Sequence, residues 1–267
     1  MGFTMKGLYI DNRRKLFLFN LKIKKYFFKV FRSALRHHIE QIEGFRVSFF
    51  DYSSLVFQYK EIFVNLEYHF RANKRDPFII DCGSNVGVSI LFFKSLYPES
   101  RIVGFEPDKS TFEKLGQNVR LNKLQDVQVL NKAVSDKNEE INFYYDPDVP
   151  GSEYMSTIRE RMPKKSQKVA SVMLSEYISS EVDFLKLDVE GSETAVICEL
   201  FNKGKLGLIK QIVMEYHHHI KEGEDNLSQI LGMLEESGFG YQIGGVLRRP
   251  FKRDLFQDIT VYAYQKS

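Results

Sequence analysis

The segment Asp81-Cys82-Gly83-Ser84-Asn85-Val86-Gly87 directly follows the apolar run Phe78-Ile79-Ile80 and precedes a helical stretch, Val88 to Tyr97. A strand that delivers an acid, a glycine turn and a helix start can cradle a nucleotide-type ligand. Glycine lets the backbone approach, and the helix start offers N–H groups and partial positive charge. The spacing narrows the ligand. A dinucleotide site wants G-x-G-x-x-G for a pyrophosphate, and a P-loop wants G-K-[ST]. Here the glycines read G-x-x-x-G, with neither extension. Such a loop suits a ligand without phosphates that has an amino-acid end, its carboxylate on the helix start and its ammonium near Asp81: S-adenosylmethionine. Asp81, Gly83, Ser84, Asn85 and Gly87 are the cofactor-binding candidates here; a plain strand-to-helix turn made by Gly83 and Gly87 is the lesser alternative.

A second apolar run, Arg101 to Phe105, ends in Glu106-Pro107. In open α/β sheets ligands sit beyond the carboxyl ends of the strands, and an acid about 20 residues past the glycine loop takes the ribose hydroxyls. Glu106 falls near that offset, and a carboxylate can accept from both hydroxyls of a vicinal diol. A surface acid before a turn proline is the plainer alternative. After the third run, Val127 to Leu130, Asn131 and Ala133 fall where an adenine ring would lie, unless Asn131 simply forms a turn.

Two further clusters carry ionisable groups. Val182 to Asp188 reads as an apolar strand that runs into Val189-Glu190-Gly191-Ser192-Glu193, and Lys186 and Asp188 share one side because side chains alternate along a strand. A run from Leu208 to Met214 then leads to Glu215-Tyr216-His217-His218-His219. Crowded acids at a sheet edge are costly unless partnered or working. Asp188, His217 and Glu190 are the catalytic candidates, His217 because its ordinary pKa suits neutral pH. Glu215, His218 and Lys186 are candidates for holding the acceptor. The same acids would suit a hard divalent ion, but no metal is expected, because a cationic cofactor alone accounts for them. Lys186 neutralising Asp188, and a solvated loop histidine, are the plainer readings.

These stations need a frame that brings strand ends together. The order of apolar runs and helical stretches, including Ser110 to Asn122 and Asn226 to Ser237, gives a doubly wound α/β sheet. Paired runs at Tyr241–Val246 and Asp258–Tyr264 complete it. At 267 residues and 43% hydrophobic content, one larger domain with an extension is expected. The divisions read as a basic extension (1–44), a lead-in hairpin and helix covering the site (45–76, the helix from about Tyr59 to Phe70), and a ligand-binding domain (77–267). Residues 144–168 form a turn-rich insertion suited to a lid. Residues 247–253 form a basic loop, read as a solvated hairpin tip or an anion reader. Two cysteines outside paired loops point to a reducing, cytoplasmic setting, and neither a signal peptide nor a membrane span is expected.

Net charge is +3, yet residues 1–40 hold ten Lys/Arg against Asp11 and Glu40, so that segment is +8 and the rest −5. Leu16, Phe19, Ile23, Phe27, Val30 and Ala34 recur at helical spacing among these basic residues. A basic amphipathic helix can pack its stripe on the domain or, through residues 12–40, lie against an anionic membrane surface. No nucleic-acid-binding motif accompanies it, and no nucleic-acid partner is expected.

The combination Asp81-x-Gly83-x-Asn85-x-Gly87, Phe105-Glu106-Pro107, Ala133-Val134-Ser135-Asp136, Lys186-x-Asp188-x-Glu190-Gly191-x-Glu193 and Glu215-x-His217 resembles the FkbM-type methyltransferases. The resemblance spans roughly residues 60–265 in the family's order. Ser84 stands where alanine is usual, and the basic N-terminus lies outside it. It implies a class I Rossmann-like fold with a seven-stranded, mostly parallel sheet and helices on both faces, S-adenosylmethionine as cofactor, and O-methylation of a sugar or natural-product hydroxyl. The acceptor would be a small molecule or a glycan such as a surface polysaccharide. A non-catalytic S-adenosylmethionine-binding scaffold in a glycan-assembly complex and a non-sugar acceptor are the alternatives. An NAD-dependent oxidoreductase is disfavoured by the glycine spacing.

Overall fold

The alternation of apolar runs and amphipathic segments after position 77 resolves into a doubly wound sheet. The computed structural model describes residues 12–30, 38–152, 155–220, 225–245 and 257–266. The first elements are α1 (Asn12–Val30), the hairpin β1 (His38–Ile42) and β2 (Phe45–Phe49), and α2 (Tyr52–Tyr59), which continues as a π-helical turn at Lys60–Val64. Then follow β3 (Phe78–Cys82), α3 (Val88–Leu96), β4 (Arg101–Phe105), α4 (Lys109–Leu121) and β5 (Val127–Leu130). The short strands β6 (Ala133–Ser135), β7 (Glu140–Tyr145) and β8 (Lys165–Met173) come next. The chain ends with β9 (Phe184–Leu187), α5 (Glu193–Asn202), β10 (Gln211–His218), α6 (Leu227–Glu236), β11 (Phe239–Gly245) and β12 (Gln257–Gln265).

The main sheet has the order β11-β12-β10-β9-β3-β4-β5. Its strands are parallel from β10 to β5, and β12 runs antiparallel to β10 and β11. Alternation along each strand builds two cores. Ile79, Phe184 and Val213 face Phe92 and Phe93 of α3 and Phe63 of the π-helical turn. Ile80, Leu185 and Met214 face Val196 of α5 and Ile230 of α6 on the other side. Helices therefore cover both faces, as the class I arrangement requires. None of the helices in the described residues is long and apolar enough to cross a membrane.

Four expectations shift. The lead-in helix begins at Tyr52 rather than Tyr59, because the Asp51 side chain caps it by accepting from the Ser53 and Ser54 N–H groups at 2.6 and 3.1 Å. It also ends early: Leu66 takes a left-handed φ of 59°, and Glu67 to Phe70 run irregularly, anchored by Phe70 stacking on Phe184 at 4.4 Å. The division at 44/45 falls inside the turn of the β1–β2 hairpin, whose register pairs Ile42 with Phe45. The 144–168 insertion is the connection of a hairpin, since β7 and β8 pair antiparallel at its two ends, and β6 joins β8 to make a second sheet. Finally, the fifth parallel strand extends to His218, because β12 pairs with it along its whole length. The basic loop 247–253 lies outside the described residues.

Candidate active site

The glycine loop closes on itself. Gly83 (φ 83°), Asn85 (φ 47°) and Gly87 (φ 92°) are all left-handed, a region that glycine, and to a lesser degree asparagine, tolerates. Its amides find partners in the loop and at the end of β4. Gly83 and Ser84 donate to Phe105 O at 3.0 and 2.9 Å, Asn85 to the Glu106 carboxylate at 3.0 Å, and Gly87 to Ser84 O at 2.8 Å. Gly83 is required for a steric reason too: a Cβ there would lie 1.9 Å from the carbonyl oxygen of Asp188. The loop and the end of β9 therefore meet backbone to backbone.

Several candidates face inward instead of outward. Asp81 is fully buried; its Oδ2 accepts from the Ser89 hydroxyl at 2.6 Å, and its Oδ1 lies 3.5 Å from the Lys186 ammonium. A carboxylate so enclosed braces the loop through Ser89, while its Oδ1 accepts no hydrogen bond among the described residues. Ser84 is also buried, its hydroxyl donating to Asp81 O at 3.0 Å. Lys186, expected to hold the acceptor, donates to Gly83 O at 2.8 Å and Cys82 O at 3.2 Å, and pairs with Asp188 at 3.2 Å. Burial opposes its charge, but the carboxylates of Asp188 and Asp81 outweigh burial and raise its pKa above that of an ordinary lysine. It fastens β9 to the loop.

Glu106 sits at the end of β4, buried, and accepts from the backbone N–H groups of Asn85 and Asp108 at 3.0 and 2.9 Å. Burial raises its pKa to about 8, although those two bonds pull it down. Each oxygen retains a second lone pair for a hydroxyl donor. Asn131 donates to the carbonyls of Glu106 and Pro107 at 2.9 Å each, so its side chain sets the strand end rather than presenting itself to a base. Ala133 is buried in the small sheet among Phe143, Met155 and Val169, which removes its side chain from a lining role.

The richest chemistry lies on one face of the sheet at its carboxyl edge. Register places Asp81 beside Lys186, Lys186 beside Val213, Glu215 opposite Thr260, and His217 opposite Asp258. With side chains alternating, Asp188, Glu215 and His217 project on the same side. Glu67, from the irregular lead-in, closes over this row and accepts from the Thr260 hydroxyl at 3.4 Å. Burial and the neighbouring acids raise Glu67 to about 7 and lift Glu215 well above the carboxylate range.

His217 is boxed in by acids. Its Nδ1 donates to Glu193 at 2.8 Å, its Nε2 lies 3.2 Å from Glu190, and Asp258 stands at 3.9 Å. Burial disfavours the imidazolium, but Glu193 and Glu190 outweigh burial, and its pKa rises well above 6.5. Both ring nitrogens are therefore engaged by carboxylates. Glu193 also accepts from Gly191 N at 2.9 Å, which fixes the turn. Glu190 holds a left-handed φ of 54°, a costly conformation for this residue type. Its carboxylate pairs with Arg161 at 3.0 Å, and burial raises it to about 7. His218 projects to the opposite face, beside Tyr216 and 3.0 Å from Asp225, so it leaves the acceptor side.

The insertion spans this edge. Asn85 Nδ2 reaches Gly151 O at 3.4 Å on one side of the loop, and the Ser156 hydroxyl donates to Glu190 O on the other. Arg161, Ser156 and Glu67 went unnoticed in the sequence because no spacing marks them. Carboxylate and imidazole atoms of Asp188, Glu190 and His217, and of Glu215, His217 and Asp258, lie within 4.8 Å of one another, close enough to hold a divalent ion.

The chain is similar in sequence to known methyltransferases. The sequence pattern of the methyltransferase FkbM domain matches residues 81–242. "Methyltransferase sdnD" of Sordaria araneosa is 29% identical over 240 residues, covering 77% of this chain and 91% of its own length. "2-O-methyltransferase NoeI" of Sinorhizobium fredii is 27% identical, covering 60% and 72% respectively. Among solved structures, methyltransferase FkbM from Methylobacillus flagellatus KT aligns with a TM-score of 0.47 at 17% identity, over 73% of this chain and 45% of that one.

Proposed function

This chain belongs to the FkbM methyltransferase family, and from that premise we propose that it transfers a methyl group from S-adenosylmethionine to a hydroxyl oxygen of a sugar in a glycan, surface polysaccharide or related natural product. One observation carries the reading: the carboxyls of Glu67 and Glu215, with proton affinities raised by burial, line the sheet edge beside Asp188 and next to the glycine loop. The printed name of the NoeI relative, a 2-O-methyltransferase, supports an oxygen acceptor. The two free cysteines fit a cytoplasmic site of action.

The residues present suit the cofactor. The buried Glu106 carboxyl, at a strand end beside the glycine loop and with spare lone pairs, is what a ribose diol needs. When bound, S-adenosylmethionine supplies an electrophilic methyl on a sulfonium. Glu106 would hold the ribose diol beside the 83–87 loop. Asp188 receives the acceptor's proton: its side chain is 23% exposed, whereas His217 beside it is closed off at 1%. Glu215 and Glu67, carrying protons near neutral pH, donate hydrogen bonds to the acceptor's other oxygens. His217, Glu190 and Arg161 hold the turn that positions Asp188. Alignment of donor and acceptor supplies most of the acceleration, and the base adds roughly 10²–10⁴-fold.

The test is transfer of a labelled methyl from S-adenosylmethionine to hydroxyl-rich glycan fractions, with Asp188→Asn as control. Label on oxygen, lost in the variant while cofactor binding persists, supports the reading. Label on nitrogen or carbon, or cofactor binding without transfer to any acceptor, contradicts it.

A further inference from the structure

Helix α1 turns its apolar stripe away from the domain. At about 100° per residue, Leu16, Phe19, Ile23, Tyr26 and Phe27 fall within roughly 100° of arc, and they are 63, 59, 40, 69 and 57% exposed. Phe17, Leu18 and Leu21 occupy the opposite side, Leu18 and Leu21 buried in the core shared with α2. That side is further fixed by Arg14, which donates to Phe63 O at 2.9 Å, and by Lys24, which pairs with Glu40 at 2.7 Å. The helix is therefore docked by a second face, and the aromatic stripe lies open among the described residues. An exposed run of large apolar side chains along about three helical turns marks an interaction surface.

Its charge names the partner. Residues 12–30 contain seven Lys/Arg (Arg13, Arg14, Lys15, Lys22, Lys24, Lys25, Lys29) and no Asp or Glu, while the other 248 residues sum to −4, the whole being +3. Lys15 and Lys22 border the stripe on one side and Arg13 on the other, all exposed. Two copies meeting through this face would bring two such +7 helices together, which disfavours a homodimer. We propose that the outer face of α1 docks on an anionic lipid surface, its aromatic stripe entering the headgroup boundary and the basic flanks meeting lipid phosphates. The helix lies outside the family match at 81–242, so this property belongs to this chain's own extension. The chain would work at a membrane, where α2, packed under α1, carries Gln58 toward Asn85 of the glycine loop at 3.4 Å.

Co-flotation of the full chain with vesicles tests this. Binding is expected to phosphatidylcholine vesicles doped with phosphatidylserine, to be at least about tenfold weaker on pure phosphatidylcholine, and to weaken with added salt. Phe19→Ser with Phe27→Ser, and separately Lys15→Glu with Lys22→Glu, should each abolish flotation. These side chains are exposed, so the melting midpoint and binding of S-adenosylhomocysteine should stay unchanged, which separates this proposal from the catalytic reading. Equal binding to neutral vesicles, flotation unaffected by both double variants, a stripe-dependent dimer in sedimentation, or a stripe that shifts RNA and not vesicles would overturn it.

Discussion

The backbone of Asp188 lies so close to the glycine loop that a Cβ on Gly83 would come within 1.9 Å of the Asp188 carbonyl oxygen. Residues 105 positions apart are thereby locked into one seam between β3 and β9, and Lys186 ties the same seam from below. Gly83→Ala meets both this clash and a left-handed φ of 83°. The expected loss is about 2–4 kcal/mol, read as a lower urea midpoint. A variant as stable as the parent would show that the seam is open in solution.

Stability should fall as pH rises from about 5 to about 8. Glu106 (about 8), Glu67 (about 7) and Glu190 (about 7) all titrate above 4.5 because burial favours the neutral acid. Folded chain then holds protons that the unfolded chain has released, so the contribution is full below about 4.5 and disappears through about 7–8. His217, raised by Glu193 and Glu190 against burial, adds the same sign at higher pH. Asp108 acts oppositely, but only below 3.8, its folded pKa being lowered despite burial by bonds from Ser110 and Thr111. Circular-dichroism melts of the ligand-free chain across that window check the slope. A midpoint that climbs with pH contradicts the buried-acid assignment.

Arg161 pairs with Glu190 at 3.0 Å, beside the His217 ring at 3.2 Å, and both side chains of the Arg161–Glu190 pair are mostly buried. Arg161→Ala leaves that carboxyl facing Asp188 without its guanidinium, at a cost of about 3 kcal/mol. Arg161→Lys should recover part of this. Equilibrium denaturation of the three proteins measures it, and an alanine variant within error of the parent would remove Arg161 from the support of the site.

His217 and Asp188 should separate kinetically. His217→Asn keeps one hydrogen bond to Glu193 and should lower kcat by about 10–100-fold, leaving the pH–rate profile in place. Asp188→Asn should lower kcat by about 10²–10⁴-fold and remove the acidic limb. A profile that loses its limb with His217→Asn instead would return the base role to the imidazole.

What was legible in the sequence is what covalent spacing dictates. The glycine loop, the acid at 106 and the alternation of Lys186 with Asp188 follow from strand period and turn chemistry, and the structure keeps them at strand ends. Direction was less legible. Asp81 and Lys186 face inward, 3.5 Å apart, Lys186 on the carbonyls of Cys82 and Gly83 and Asp81 on the Ser89 hydroxyl, which no spacing reveals. His218 was misplaced with its neighbour because pairing with β12, distant in sequence, prolongs β10 and sends alternate residues to opposite faces. Glu67, Ser156 and Arg161 come from irregular segments brought in by tertiary packing, and nothing periodic announces them. On α1 the stripe was visible, but which face the domain covers depended on Leu18 and Leu21 meeting α2.

The most direct measurement is calorimetric titration of S-adenosylhomocysteine into the parent chain, Glu106→Gln and Glu106→Ala. Saturable one-to-one binding by the parent is expected, with at least about tenfold weakening in the glutamine variant and a larger loss in the alanine variant. No binding by the parent, or equal affinity in all three proteins, would contradict a methyl donor held between the glycine loop and Glu106.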